Sequence, residues 1–296
     1  MLRSIPLYTR SLTASWKLLG LLLSLSLASG CSTATRFGYN HLDWFAKREI
    51  GKYFDMTRQQ EAWFETRFDA LWRWHRHEQL PLYVQDLRRL AEQAQTPMSR
   101  DDIAAALQMV EAHIDRSLQQ ATADTVALLA QLDQRQVTSL LARIDEDIAD
   151  AAKDLAKDDD TERRKAAAKR VRKWMEDRYG RLIPEQRARI DQWAAERSAS
   201  PEAWLDHSHR WRDAFAALLA QRDTADFADQ VATLLFDDTA LVPEPLLAER
   251  SRNRARWLDM AADLSALTTA RQRRHLVEYI TDFAEDFDAL AAQARD

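Results

Sequence analysis

The sequence predicts an all-α protein, a multi-helix bundle of long antiparallel helices with no sheet. Apolar residues recur three and four positions apart through most of the chain, which is the spacing of one face of an α-helix. After residue 30, glycine occurs only at Gly38, Gly51 and Gly180, which favours helices over strands joined by tight turns. The 296 residues are enough to bury a sizeable core.

The first thirty residues have the layout of a secretory signal. Three basic residues precede an uncharged stretch, residues 18–30, which ends in small side chains directly before Cys31. A membrane-spanning helix needs about 20 apolar residues, and this stretch is shorter and interrupted by serines. We therefore expect residues 1–30 to be cleaved as a signal peptide.

Cys31 is the only cysteine of the chain. The segment Leu27-Ala28-Ser29-Gly30-Cys31 resembles the lipobox of bacterial lipoproteins, with Ala28 where that family usually has leucine. The resemblance implies that the Cys31 thiol carries a diacylglycerol and the new amine an acyl chain, so that the protein is held permanently on a membrane. Ser32 in place of aspartate implies the outer membrane, with the chain facing the periplasm. The alternative is an ordinary signal peptide with an unmodified thiol.

A lipidated tether, residues 31–40, is expected to lead into one helical domain, residues 41–296. The first helix is expected over residues 41–54, and the second from Thr57 to a break at Thr96-Pro97, with a kink or division at Pro81. The third is expected to run from its cap Ser99 to about Leu132, and the fourth from Asp133 to the charged stretch 157–165. That stretch is either a boundary between two sub-bundles or a solvated helix end. After this stretch, one helix is expected to end at Gly180 and the next to begin at Pro184. Four more are expected, from Pro201 to Arg222, from Ala225 to Phe236, from Leu246 to Leu267 and from Thr269 to the C-terminus, with a loop over 237–245.

One short pattern occurs four times and places glutamine at its fifth position. Its copies are MTRQQ (56–60), LDQRQ (132–136), LIPEQ (182–186) and TTARQ (268–272). In three copies Thr57, Asp133 or Thr269 stands three residues before the glutamine, which is the spacing of a capping box. Helix initiation therefore explains the pattern without a special function.

An aromatic and basic cluster on the second helix is the candidate partner-binding surface. It consists of Trp63, Arg67, Trp72, Arg73, Trp74 and Arg76. At about 100° per residue its three tryptophans do not share one helix face, so at least one should lie at the edge of the apolar stripe. Tryptophan and arginine dominate the energetics of protein interfaces. The alternative use of the cluster is packing against a neighbouring helix.

No metal, cofactor or catalytic residue is expected. Glu202, Asp206, His209 and Asp213 share one helix side, but they lie opposite a tryptophan stripe and so fit a solvated face. Phosphate loops, nucleophile elbows and paired zinc-binding histidines are missing from the sequence.

The charge balance argues against nucleic acid as a partner. The formal charge of −5 becomes −8 when a leader with three basic residues is removed. The most basic later stretch, RSRNRARW at residues 250–257, is expected either to form ion pairs with Glu249, Asp259 and Asp263 or to meet an anionic envelope component.

Four segments resemble a family of uncharacterised Gram-negative lipoproteins that is classed as a domain of unknown function. They are FGYNHLDW, YFDMTRQQEAWF, LWRWHRHEQLP and YGRLIPEQRARIDQW. A weaker likeness, in Met56-Thr57 with Gln60 and Leu182 with Gln186, is to periplasmic helical chaperones with Leu-Thr-x-x-Gln motifs. The resemblance to the lipoprotein family implies lipidation and an all-helical fold, and it carries no known activity. Together with the aromatic and arginine-bearing helical surfaces, it leads us to expect a lipid-tethered, non-enzymatic protein that binds an envelope protein or an unfolded client. An envelope hydrolase and a structural spacer are the alternatives.

Overall fold

The computed structural model describes residues 32–237 and 239–293, and every regular element in those ranges is helical. The elements are α1 (Ser32–Phe54), α2 (Arg58–Trp74), a π-helical turn (His75–Gln79), α3 (Leu80–Gln93), α4 (Arg100–Ala130), α5 (Gln134–Lys157), α6 (Asp160–Tyr179), α7 (Pro184–Glu196), α8 (Pro201–Ala220), α9 (Phe227–Phe236), α10 (Glu244–Ala266) and α11 (Ala270–Ala291). The predicted all-α class is confirmed. The leader and Cys31, with its predicted lipid, lie outside the described residues.

Helix α1 starts earlier than the apolar spacing indicates. It is already helical at Ser32, nine positions before the expected start at residue 41, and it continues through Gly51 to Phe54. Tyr39, Leu42 and Ala46 are buried on its inner side. The residues expected as a tether are therefore part of a helix whose inner side packs on the bundle.

Pro81 changes the helical pattern without ending the helix. Because proline has no backbone N–H, it cannot donate the usual bond to the preceding turn. The chain widens into the π turn directly before it, and the Leu80 N–H donates to the His75 carbonyl five residues back. The α2 and α3 segments are thus joined, and His75 lies at their junction.

The four glutamines of the repeated pattern meet in two buried pairs. Gln60 and Gln136 exchange side-chain hydrogen bonds of 3.1 and 2.7 Å, and Gln186 and Gln272 exchange bonds of 3.3 and 2.9 Å. Each glutamine also accepts a bond from the backbone N–H of its own N-cap residue. The pattern therefore starts helices, as expected, and also joins helix starts that are distant in sequence.

Packing crosses the charged stretch that separates α5 from α6. One core contains the end of α4 together with α5, α8 and α9, and a second contains α6, α7 and α10. A third joins α1, α3 and α11, where α3 and α11 form the most extensive helix pair. Since α8 and α9 come after residue 165 and still pack on α5, one core contains helices from both sides of this stretch.

Most helix ends agree with the sequence signals. Thr57, Ser99, Asp133 and Thr269 each accept a bond from the third backbone N–H of the helix that they cap. Gly180 ends α6 at φ +73°. Within residues 32–237 and 239–293, no helix is both long and apolar enough to cross a bilayer.

Candidate functional site

An apolar cavity of about 190 Å³ lies where α1, α2 and α4 meet near the π turn. We call it the aromatic cavity. Helix α1 contributes Tyr39, Leu42, Ala46, Ile50 and Phe54; α2 contributes Trp63, Phe64, Arg67, Phe68, Leu71, Trp72 and Trp74; α4 contributes Ile114, Ser117, Ala121, Asp124, Thr125 and Leu128; and the π turn, α3 and α11 add His75, Leu80, Tyr83 and Phe287. The sequence predicted the helices that form the walls. The cavity itself exists only because these helices pack against one another.

The inner wall of the aromatic cavity is a series of neighbouring rings. Trp72 stacks on Tyr39 with ring centroids 4.7 Å apart, and Phe68 lies nearly parallel to it at 6.2 Å. The ring of His75 continues the series 5.8 Å from Trp72. Offset stacking at such distances fixes ring orientation, so this wall is preorganised for another flat apolar group.

His75 is the polar centre of that wall. The Tyr39 hydroxyl lies 2.9 Å from Nδ1, and the Tyr83 hydroxyl lies 3.2 Å from Nε2. Burial lowers the pKa of His75 from 6.5 to about 4, and the neighbouring Arg76 adds to the shift. His75 is therefore neutral at neutral pH, with one ring nitrogen donating and the other accepting.

A charged pair lies at the open side of the aromatic cavity. Arg67 Nε is 3.8 Å from Asp124 Oδ1, and both side chains are exposed to solvent. The Arg67 guanidinium also lies 5.8 Å from the centre of the Trp63 ring. This rim combines hydrogen-bond donors and acceptors next to an apolar interior, as small binding sites commonly do.

The structure separates the six residues of the predicted partner-binding surface into two groups. Trp63, Arg67, Trp72 and Trp74 line the aromatic cavity, although the tryptophans do not share a helix face. Arg73 is exposed and is not a lining residue. Arg76 donates to Asn40 and Gln293 at 2.8 and 3.2 Å and lies over the Tyr39 ring, so it joins α1, the π turn and the chain end.

Where α3 meets α4 at the cavity wall, a histidine, an aspartate and a serine lie together without forming a nucleophilic triad. His113 Nε2 donates to Asp86 at 2.7 Å. Ser117 Oγ donates to the backbone carbonyl of His113 at 3.0 Å, so its proton is held by a carbonyl and not by a base. This arrangement fixes α3 against α4 and does not activate the serine.

The other polar candidates of the sequence are on solvated or structural positions. Glu202, Asp206, His209 and Asp213 are all exposed. Among the described residues, no three His, Cys, Asp or Glu side chains gather in a way that could hold a metal ion.

The basic stretch 250–257 forms bonds across helices where bonds along α10 were expected. Arg254 contacts both carboxylate oxygens of Glu111 at 2.5 and 3.1 Å, and Arg256 donates to Ser198. Asp259 and Asp263, the expected partners, bind Arg100 and Arg189 instead. The prediction that this stretch forms an ion pair is thus confirmed, but the acidic partner is Glu111.

Tyr39, Tyr83, Ser117 and Asp124 belong to the cavity and were not singled out in the sequence. Tyr39 was part of the quoted FGYNHLDW segment, which was the only signal for it. The others lie on α3 and α4 at positions that spacing alone assigns to the core or the surface. Only packing brings them to α2.

Comparison with known proteins gives one family match. A family model described as a family of unknown function (DUF6279) matches residues 52–246. No curated protein and no solved structure matches the chain. The match agrees with the resemblance to an uncharacterised domain and includes α2 and α4, which form most of the cavity wall.

Proposed function

The chain belongs to this family of unknown function, DUF6279, and from its own geometry we propose that it is a lipid-anchored, non-enzymatic binding protein for polypeptides. Its aromatic cavity takes up one aromatic side chain of the bound segment. The observation that supports this proposal is a cavity of about 190 Å³ with aromatic walls and a charged rim. The partner is an envelope protein or an unfolded client.

The volume of the cavity selects the class of ligand. An apolar cavity of about 150 Å³ in another protein binds benzene, so about 190 Å³ admits a single aromatic side chain. A full acyl chain with many methylene groups is larger than this. Size therefore favours an aromatic residue over a lipid tail.

The chemistry of the walls agrees with that size. At neutral pH His75 is uncharged and bonded by two tyrosine hydroxyls, so it adds no charge to the inner wall. At the rim, Arg67 can donate to a peptide carbonyl and Asp124 can accept from a peptide N–H. A polypeptide satisfies both regions, because an aromatic residue has an apolar ring and a polar backbone.

The cellular setting belongs to the same proposal and rests on the leader. The lipobox-like segment before Cys31 supports a lipid anchor in the outer membrane with the bundle in the periplasm. The likeness to Leu-Thr-x-x-Gln chaperones supports an unfolded client, and the two glutamine pairs show what such motifs do structurally in this chain. Ser117, whose proton is held by a carbonyl, gives no support to the hydrolase alternative.

A cavity-filling variant tests the binding proposal. Ala121 lines the cavity, and Ala123 is exposed on the same helix. Ala121→Phe therefore adds a phenyl ring inside the cavity, and Ala123→Phe adds the same ring outside it. We expect the full chain, purified from membranes, to bind acetyl-Gly-Gly-Phe-Gly-Gly-amide in calorimetry. Burying a phenyl ring contributes about 1.5–3 kcal/mol, so Ala121→Phe should weaken binding about tenfold or more while Ala123→Phe leaves it unchanged.

The same variants test the chaperone-like activity. The native chain and Ala123→Phe should slow the aggregation of a denatured client protein, and Ala121→Phe should not. If the alanine version of the peptide binds as well as the phenylalanine version, or if Ala121→Phe binds like the native chain, the cavity is not the binding site. Circular dichroism shows that each variant is folded, and the smaller change Ala121→Leu provides an intermediate effect. The mass of the N-terminal fragment tests the lipid on Cys31 separately.

A further inference from the structure

The outer side of α1 presents an aromatic and basic face to solvent. Its exposed residues are His41, Trp44, Phe45 and Arg48, spaced three, one and three positions apart, which places them on one side of the helix. Trp44 and Phe45 are 54% and 52% exposed. We call these four residues the α1 outer face.

This face is organised, although it takes no part in the core. The rings of Trp44 and Phe45 meet edge to face with centroids 4.9 Å apart, and the Arg48 guanidinium lies 5.4 Å from the Trp44 ring centre. The opposite side of the helix packs into the core, where Tyr39, Leu42 and Ala46 are buried. Two adjacent large aromatic side chains are therefore left for a partner outside the bundle.

We propose that the α1 outer face rests on the surface of the lipid bilayer to which the chain is tethered. This inference rests on the proposed lipid at Cys31 and adds a second, protein-made contact with the same membrane. Tryptophan favours the membrane–water interface, where its ring is apolar and its N–H remains hydrated. Arg48 lies at the same side, where it faces the phosphates of the headgroups.

The position of α1 in the chain identifies the bilayer as the occupant. The helix begins at Ser32, the residue after Cys31, and runs without interruption past Arg48. At 1.5 Å per residue, Trp44 lies about 20 Å along the helix from the predicted anchor. A helix lying along the membrane plane therefore brings the aromatic pair to the surface, and tethering makes even a weak contact effective because it raises the local concentration.

A second exposed tryptophan provides the internal comparison. Trp174 on α6 is 41% exposed, but the Arg178 guanidinium lies 3.9 Å from its ring centre and covers one side. It is also more than a hundred residues from the anchor. Trp174 is therefore a matched control for an exposed tryptophan that does not meet the membrane.

Quenching by brominated lipid tests the contact. The full chain is produced with its leader, purified in detergent and reconstituted into vesicles of phosphatidylethanolamine and phosphatidylglycerol, with or without bromine on the upper acyl carbons. Bromine quenches only nearby indole rings, so brominated lipid should remove part of the tryptophan fluorescence of the native chain. We expect this loss of fluorescence to be smaller by about half or more in Trp44→Phe. The same quantity should be unchanged in Trp174→Phe.

The outcomes separate this inference from the proposed function. Vesicle flotation and the mass of the N-terminal fragment report the lipid tether. If the lipidated chain floats with the vesicles and all three proteins are quenched equally, the tether stands and the membrane contact of α1 is wrong. If a photo-reactive group at position 45 forms adducts in cells with a protein and none with lipid, the face belongs to a protein partner and the inference is overturned.

Discussion

Gln60 and Gln136 bind each other through two side-chain hydrogen bonds that run in opposite directions, although 76 residues separate them. The Nε2 group of Gln136 also donates to the carbonyls of Phe54 and Asp55, where α1 ends, and that of Gln60 donates to the Gln131 carbonyl, where α4 ends. Two helix starts are thereby bonded to two helix ends in the interior. A buried polar network of this kind stabilises the fold only while every member keeps its partners.

We expect Gln136→Ala to lower the free energy of unfolding by about 2–4 kcal/mol, because it leaves several buried polar groups without partners, each costing about 1–3 kcal/mol. Denaturant unfolding followed by circular dichroism measures the loss. Gln134→Ala, an exposed change on the same helix, should cost less than about 0.5 kcal/mol. The double variant Gln60→Ala with Gln136→Ala should cost less than the sum of the single changes, and additive costs would contradict the pairing.

His75 should make stability fall in mildly acidic solution. Its pKa is about 4 in the folded chain and 6.5 when unfolded, so between these values the unfolded chain binds the extra proton. The stability is fully present above pH 6.5 and is lost as the pH falls toward 4, by up to about 3 kcal/mol. Unfolding at pH 7.5, 6, 5 and 4.5 measures the slope, which His75→Gln should reduce and the exposed change His209→Gln should leave in place.

Position 180 requires glycine because of its backbone conformation and not because a side chain would lack space. Its φ of +73° with ψ of −160° is a conformation that side-chain-bearing residues rarely adopt, whereas an added Cβ would meet only His275 at an ordinary 3.7 Å. We expect Gly180→Ala to lower the free energy of unfolding by about 1–3 kcal/mol. Gly51→Ala is the matched comparison: it lies within α1 with open space around it and should stabilise by about 1 kcal/mol. A stable Gly180→Ala protein would contradict the assignment.

The Arg254–Glu111 pair should couple α10 to α4 more strongly than a surface pair does. Both its side chains are partly buried, and both terminal guanidinium nitrogens contact the carboxylate. A double-mutant cycle with Arg254→Met and Glu111→Gln should give a coupling of about 1–2 kcal/mol. The same cycle on Lys153 and Asp150, which are exposed on α5, should give about 0.5 kcal/mol or less. Equal couplings would show that burial adds nothing here.

Arg67 and Arg73 should differ in their effect on the proposed binding, although the sequence placed them in one surface. Arg67 lies at the cavity rim beside Asp124, whereas Arg73 is not a lining residue. We expect Arg67→Gln to weaken binding of the phenylalanine peptide several-fold, about 1 kcal/mol, because a charge-assisted bond to the peptide is lost. Arg73→Gln should bind as the native chain does, and equal losses in calorimetry would argue for a general charge effect.

The local helical framework could be predicted from the sequence because its causes are local. Capping residues such as Thr57 and Ser99, the stop at Gly180 and the spacing of apolar side chains act within one or two turns of the chain. The start of α1 was missed because residues 32–40 have no apolar stripe, and the helix there gains stability from packing of Tyr39 on α3 and α11.

The aromatic cavity was decided by the tertiary structure. Sequence spacing named Trp63, Trp72 and Trp74 but set them on different faces of one helix, and it gave no reason to join them to Asp124 or Tyr39. The π turn before Pro81 and the packing of α1 and α4 against α2 bring these residues around one cavity. The lipid anchor at Cys31 is a prediction from the sequence alone, because a lipobox is a short linear segment. A cavity has no such linear signal, since it forms between helices whose contacts depend on the whole bundle.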